Sequence, residues 1–153
     1  MKLMKILALS FSCSLFLTST LLATEVTDVK PLTLKEIMQG LSKDTQLIAE
    51  GIFTEDFKLI KKAARNIAKH PKAPIETRVT LAKVLGAEMS QFKTFDSKVH
   101  NSAVEIGLDA EEHDITAVLL NYHLLIDGCL ACHNNFKQRV ITILNPSLSG
   151  ELQ

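Results

Sequence analysis

Toward its C-terminal end the chain carries an unbroken helical pattern, in which mostly apolar side chains recur at alternating steps of three and four residues. This spacing places them on one face of an α-helix, about one turn apart. No alternating strand pattern competes with it, and the 153 residues are rich in Ala, Leu, Ile, Lys and Glu. We therefore predict a long helix that buries one face. The residues of this face are Leu119, Tyr122, Ile126, Cys129, His133, Phe136 and Val140.

Three further helices are predicted before this one, because glycine and proline residues interrupt the same kind of apolar pattern at intervals. The first begins with the run TLKE, which places the Thr33 hydroxyl at the N-cap and Glu36 three residues later, as in a capping box. The predicted boundaries are Thr33 to about Glu50 with a stop at Gly51, a second start after Thr54, a third helix from Pro74 to Gly107, and a cap at Asp109.

Four amphipathic helices joined by short links bury their apolar faces most simply as an antiparallel four-helix bundle. We predict this all-α fold for residues 33–144, with a looser helical array as the alternative. The expected buried positions of the first three helices are Leu34, Ile37 or Met38, Leu41, Thr45, Ile48, Ile52, Phe57, Ile60, Ala64, Ile67, Leu81, Leu85, Met89, Phe92, Val99 and Ile106.

The first 23 residues have the layout of a cleaved secretory signal peptide, with Lys2 and Lys5 ahead of an apolar stretch that ends in small and hydroxyl residues. The apolar runs are shorter than the roughly 20 residues of a spanning helix. Residues 24–32 would form an N-terminal extension and residues 145–153 a C-terminal tail. Cleavage after Ala23 removes Cys13 and two of the 17 basic side chains, leaving 17 acidic ones and a net charge of −2. We expect a periplasmic protein that does not bind nucleic acid.

The run GCLACHNNFKQR, from Gly128 to Arg139, places two cysteines and a histidine together on the last helix. A structural zinc site needs four Cys or His ligands, and a thioredoxin-like CxxC follows a strand, so neither fits this chain. A disulfide remains an alternative that export permits, although so short a loop would distort a helix. The pattern C-x-x-C-H favours covalent haem c, held through thioethers by Cys129 and Cys132, with His133 as the proximal iron ligand.

The sequence CLACH near the C-terminus, followed by Asn134, Asn135, Phe136 and Lys137, resembles the haem motif of the cytochrome c′ family. This resemblance covers about residues 32–142 in layout and implies a four-helix bundle. It also implies that a residue of the first helix faces the haem opposite the histidine. That residue is methionine in low-spin members and an apolar blocker in five-coordinate members. Met38 matches this position, although the family often has Arg where Leu34 stands here.

Other residues are assigned around the haem. Met89 is the second choice for a distal ligand, Tyr122 and Phe136 are expected to form the haem wall, and Lys137 is expected near His133 or a propionate. Ordinary core packing or a solvated lysine is the alternative for each of them. The remaining histidines are interpreted as a rim residue or propionate partner, His123, and as surface residues, His70, His100 and His113.

Two functions differ by this one distal ligand. With methionine bound, the protein would carry single electrons between redox partner proteins in the periplasm. With an apolar distal side, it would bind NO or CO. An exported helical adaptor without haem is the third hypothesis. We do not expect an enzyme or a permanent membrane span, and the resemblance brings in a homodimer, which members of the family often form.

Overall fold

The computed structural model describes residues 31–145, and every regular element in this range is helical, as the sequence predicts. The predicted signal peptide, Cys13, the first part of the N-terminal extension and the tail beyond Asn145 lie outside the described residues. The elements are α1 (Leu34–Thr54), α2 (Phe57–Ala68), α3 (Ile75–Leu85), a 3-10 turn (Gly86–Glu88), α4 (Met89–Glu111) and α5 (Ile115–Leu144).

The start of α1 has the predicted capping box. The Thr33 hydroxyl accepts a hydrogen bond from the Glu36 N–H at 3.2 Å, and the Glu36 carboxylate accepts one from the Thr33 N–H at 2.7 Å. The predicted stop at Gly51 is wrong, because the helix continues to Thr54 and ends at Glu55, whose φ is 53°. A Cβ on Gly51 would lie 2.6 Å from Ile60 Cγ1, so this glycine allows α2 to approach closely.

The second helix starts later than predicted. Thr54 belongs to α1, and Asp56 is the N-cap of α2, where its carboxylate accepts a hydrogen bond from the Leu59 N–H at 2.9 Å. The predicted buried face of α2 is confirmed at Ile60, Ala64 and Ile67. These side chains pack between α1 and α4, which are the main neighbours of α2.

The single third helix predicted from Pro74 to Gly107 is divided in the structure. Gly86 has φ 52° and ψ −122°, a backbone conformation that L side chains rarely adopt, and it separates α3 from the 3-10 turn. The predicted stop at Gly107 is also wrong, because α4 passes through it to Glu111. Glycine signals a stop only where the backbone adopts a non-helical conformation.

The cap of the last helix lies five residues beyond the predicted one. Asp109 is inside α4, and the chain turns at His113, whose φ is 58°. Asp114 then caps α5 by accepting hydrogen bonds at 3.0 Å from the N–H groups of Thr116 and Ala117. Either aspartate satisfies the sequence rule for an N-cap, and the turn at His113 decides between them.

The buried side chains form two clusters. The large cluster joins α1, α2, α4 and α5 and is wholly aliphatic, whereas the small cluster joins α3 and α5 and is bordered by aromatic side chains of α4. The chief helix contacts are α4 with α5, α2 with α4 and α1 with α2. The large cluster contains Ile48, Ile60, Ala63, Ala64, Ile67, Ala103, Ile106, Ala110, Val118 and Leu125, and the small cluster contains Leu81, Leu85, Phe136 and Val140.

Candidate haem site

The two cysteines of the CLACH run lie on the inward side of α5. Both are half-buried and neither is in a disulfide. Cys129 packs against the large cluster, and Cys132 packs against the small cluster. The run therefore lies where the two clusters meet, with its thiols one helical turn apart.

The surroundings of these thiols favour the neutral form. Burial raises the pKa of Cys129. Burial also raises the pKa of Cys132 to about 11, and the negative charge of Asp96 adds to this shift. Redox-active CxxC thiols have the opposite shift, since their chemistry depends on the thiolate. The structure thus gives no support to a thioredoxin-like role.

His133 is exposed and lies on a flank of α5. The predicted seam is correct at Phe136 and Val140 and wrong at Leu119, which is 49% exposed. The physical reason is that α5 packs chiefly on α4, where a Cβ on Gly128 would lie 3.0 Å from Val99 Cγ2. This approach turns the seam away from the direction that the sequence pattern indicates. The buried face of α5 is formed by Val118, Leu125, Gly128, Phe136 and Val140.

The flank that carries His133 is the one turned toward α1. Eleven residues make about three helical turns, so His133 lies nearly in line with Tyr122 along α5. The Tyr122 hydroxyl donates a hydrogen bond to the Thr45 carbonyl of α1 at 3.4 Å. This contact identifies the side of α5 that faces α1, and the imidazole of His133 projects from the same side.

Met38 lies on the matching flank of α1. It precedes Thr45 by seven residues, which falls about 20° short of two full turns, so both residues share one side of the helix. Met38 is 37% exposed, whereas Ile37 is 3% exposed and lines a cavity between α1 and α2. Of the two candidates for the α1 stripe, Ile37 is therefore the core residue, and Met38 projects from the side that meets α5.

The expected wall residues differ in their surroundings. Tyr122 is partly buried against the large cluster, and burial raises its pKa. Phe136 is 2% exposed and packs edge-on against Phe92 of α4, with ring centroids 5.5 Å apart. Met89 is half-buried beside the small cluster, and Lys137 is exposed. Phe136 thus serves the α4–α5 contact, whereas Tyr122 serves the α1–α5 contact.

Four histidines lie outside the CLACH run. His100 and His123 are exposed, and His113 is exposed while its ring packs on Phe57 with centroids 4.7 Å apart. His70 was interpreted as a surface residue but is partly buried. Its Nε2 lies 3.8 Å from an Asp96 oxygen, and its Nδ1 lies 2.9 Å from the Pro71 carbonyl oxygen.

Asp96 is a residue of the site that sequence reasoning missed. It is close enough to Cys132 to affect its pKa, and it pairs with His70. Its only sequence signal is its place one residue after Phe95, which borders the small cluster. That signal does not show which face of α4 meets α5, because the pairing joins residues far apart in the chain.

The donor set suits a haem better than a bare metal ion. Within residues 31–145, no group of three or more His, Cys, Asp or Glu side chains is placed to hold a metal ion. A haem c requires less of the protein, because the porphyrin supplies the equatorial ligands of the iron. Two neutral thiols one turn apart, an adjacent imidazole and a thioether on the facing helix fit this requirement.

By length and composition α5 could cross a membrane, and it is the one helix among the described residues for which this holds. The core helix of a soluble protein meets the same criteria. Of its most apolar window, 17% is buried. Asp127, within α5, forms an ion pair with Lys98, and α5 packs along α4. These two features favour a core helix.

Comparisons of the chain with protein-family models, with curated proteins and with solved structures find no match. The function is therefore inferred from the residues of the chain and from their placement. The CLACH run on α5 and the facing flank of α1 are the features that such an inference has to explain.

Proposed function

We propose that the protein is a c-type cytochrome of the periplasm that carries single electrons between redox partner proteins and is not an enzyme. The observation that carries this proposal is the CLACH run on α5, with two unpaired thiols on the inward side and His133 beside them. Cys129 and Cys132 would hold one haem c through thioethers. His133 would be the proximal ligand, and the bound haem supplies the one-electron couple.

The proposed fold is an antiparallel four-helix bundle, in which α3 and α4 together form the third member. Two contacts between α1 and α5 support opposite chain directions. Thr45 meets Tyr122, and Leu34 packs against the small cluster that contains Phe136. Thr45 follows Leu34 in the chain, whereas Tyr122 precedes Phe136, so the two helices run in opposite directions along this pair of contacts.

This arrangement favours Met38 as the distal ligand. Met38 is seven residues before Thr45, and Cys129 is seven residues after Tyr122, so in an antiparallel pair they lie at the same height, about 10 Å from the contact. Met38 also projects from the flank that faces α5. A soft thioether suits haem iron. With both axial positions filled, an electron moves with little structural change, which suits a carrier.

The alternative is a five-coordinate haem protein that binds NO or CO. It is supported by the partial exposure of Met38, which is 37%, and by the half-buried Leu34 and Leu41 on the same side of α1. If Met38 stays away from the iron, these apolar neighbours leave a distal side that suits a small uncharged gas. The two functions thus depend on the same flank of α1.

The test is the visible spectrum of the exported protein, oxidised and reduced, with carbon monoxide then added to the reduced form. We expect a low-spin spectrum that carbon monoxide leaves unchanged. Met38→Ala should convert it to a high-spin spectrum that shifts with carbon monoxide. Met89→Ala is the matched control, because it removes the other candidate methionine, and it should leave the spectrum unchanged.

Each other outcome has a definite meaning. A wild-type spectrum that is already high-spin and shifts with carbon monoxide would establish the gas-binding alternative. Loss of the low-spin spectrum in Met89→Ala alone would move the distal ligand to α4. If no haem stays attached after denaturation, while Cys129→Ala and Cys132→Ala leave the protein unaltered, the haem proposal fails and a helical adaptor becomes the better explanation.

A further inference from the structure

We propose that the outer face of α2 docks an acidic surface of a protein partner. Four cationic side chains form this face, which we name the basic stripe: Lys58, Lys62, Arg65 and Lys69. The inference goes beyond the proposed function and does not depend on haem, because α2 packs against α1 and α4.

The stripe follows one line along the helix. Its members are spaced by four, three and four residues, which keeps them on one side of an α-helix over about 16 Å. All four are exposed, whereas Ile60, Ala63, Ala64 and Ile67 on the opposite side are fully buried. The burial of that opposite side fixes the rotation of α2, so the stripe is held facing outward.

The carboxylates that border the stripe are bound to other side chains. Glu111 of α4 pairs with Lys61 at 2.6 Å, and Asp44 of α1 accepts a hydrogen bond from Asn66 at 2.9 Å. Within the described residues, no member of the stripe lies within 4.0 Å of a carboxylate oxygen. The chain therefore leaves a row of positive charge without close neutralisation, although its charges balance overall.

The shape of the stripe favours a protein over a lipid bilayer. None of the large apolar residues that are exposed in residues 31–145 lies on α2, so the face has no side chain to insert between lipids. After the predicted cleavage the whole chain carries a net charge of −2, so a broad anionic plane would repel most of its surface. A partner with a narrow row of Asp and Glu residues instead matches the stripe alone, and such matching sets orientation and association rate.

The test measures binding of the full exported protein to immobilised poly-L-glutamate. The stripe variant is Lys58→Gln, Lys62→Gln, Arg65→Gln and Lys69→Gln. The matched control replaces four exposed lysines elsewhere, Lys35, Lys43, Lys83 and Lys93, by Gln, so both variants have the same net charge. We expect the stripe variant to lose about tenfold in affinity or more, and the control to lose less than about threefold. Raising the ionic strength from about 0.01 M to about 0.1 M should weaken wild-type binding, because the Debye length falls from about 30 Å to about 10 Å.

A second variant guards against a folding defect. Replacing Lys58, Lys62 and Lys69 by Arg keeps every charge and should retain wild-type affinity. Equal losses in the stripe variant and the control would show that only net charge matters and would overturn the proposal. So would a wild-type protein that fails to bind at low ionic strength. Tighter binding to vesicles of phosphatidylcholine with phosphatidylglycerol than to poly-L-glutamate would assign the stripe to lipid headgroups instead.

Discussion

The large cluster and the CLACH end of the molecule are built from different side chains. In the large cluster, Ile, Ala, Val and Leu residues from four helices are 0–2% exposed. At the CLACH end, the small cluster has four members, and the residues around it include phenylalanines, Met89 and the half-buried Cys132. The contrast teaches that close packing and reactive groups are kept apart.

Alanine and glycine residues make the close packing of α2 feasible. Ala63 and Ala64 are fully buried on α2, and Gly51 of α1 touches Ile60. Small residues let helix axes approach, so van der Waals contacts are dense there. The CLACH end uses long and aromatic side chains instead, and these leave His133 and Met38 exposed on facing flanks.

The largest expected effect is a difference between the two clusters in the cost of one truncation. Ile60→Ala should lower the free energy of unfolding by about 3 to 5 kcal/mol, because rigid neighbours cannot fill the cavity. Leu81→Ala in the small cluster should cost about 2 to 3 kcal/mol, because flexible Met and Phe side chains nearby can relax. Urea unfolding of both variants measures the difference. A larger loss for Leu81→Ala would contradict the comparison.

The second prediction sharpens the comparison with two glycines. Gly51→Ala should destabilise the protein by about 1 to 3 kcal/mol, because the new Cβ would lie 2.6 Å from Ile60 Cγ1 and 3.1 Å from the Asp56 carbonyl oxygen. Gly107→Ala is the control, since nothing lies within 4 Å of its Cβ position. It should stabilise α4 by about 0.5 to 1 kcal/mol through helix propensity. Thermal unfolding followed by circular dichroism tests both, and equal effects would disprove close packing at Gly51.

The smallest expected effect is at the border of the large cluster, in the exposed pair of Glu111 and Lys61. The hydrogen bond and charge of Lys61 lower the pKa of Glu111 below 4.5. The folded state therefore binds the proton less tightly than the unfolded state does. The contribution of the pair is present above the unfolded pKa and is lost as the pH falls through the folded pKa.

Glu111→Gln should thus lower stability slightly at neutral pH and leave it unchanged in acid. Urea unfolding at about pH 7 and about pH 3 measures this difference. High salt should reduce the neutral-pH effect as well, because the pair is exposed. A difference that persists in acid would mean that packing of the Glu111 side chain, and not its charge, is what the substitution removes.

The sequence by itself determined what neighbours in the chain decide. It predicted an all-helical protein, the capping box of Thr33 and Glu36, the buried face of α2 and a CxxCH run on the last helix. Periodicity, caps and motifs act over one or two turns, so residues close in the sequence contain all the information they need. The assignment of haem to that run is a chemical hypothesis from the same local pattern.

The tertiary structure decided the rest. Gly51 and Gly107 continue helices that their type would end, while Gly86 interrupts one, because only contacts and backbone conformation distinguish these positions. The rotation of α5 onto α4 moved His133 from the expected seam to the flank that faces α1. Likewise Ile37, and not Met38, became the core residue of its turn. These outcomes depend on which helix faces pair, and that pairing minimises the free energy of side chains that lie far apart in the sequence.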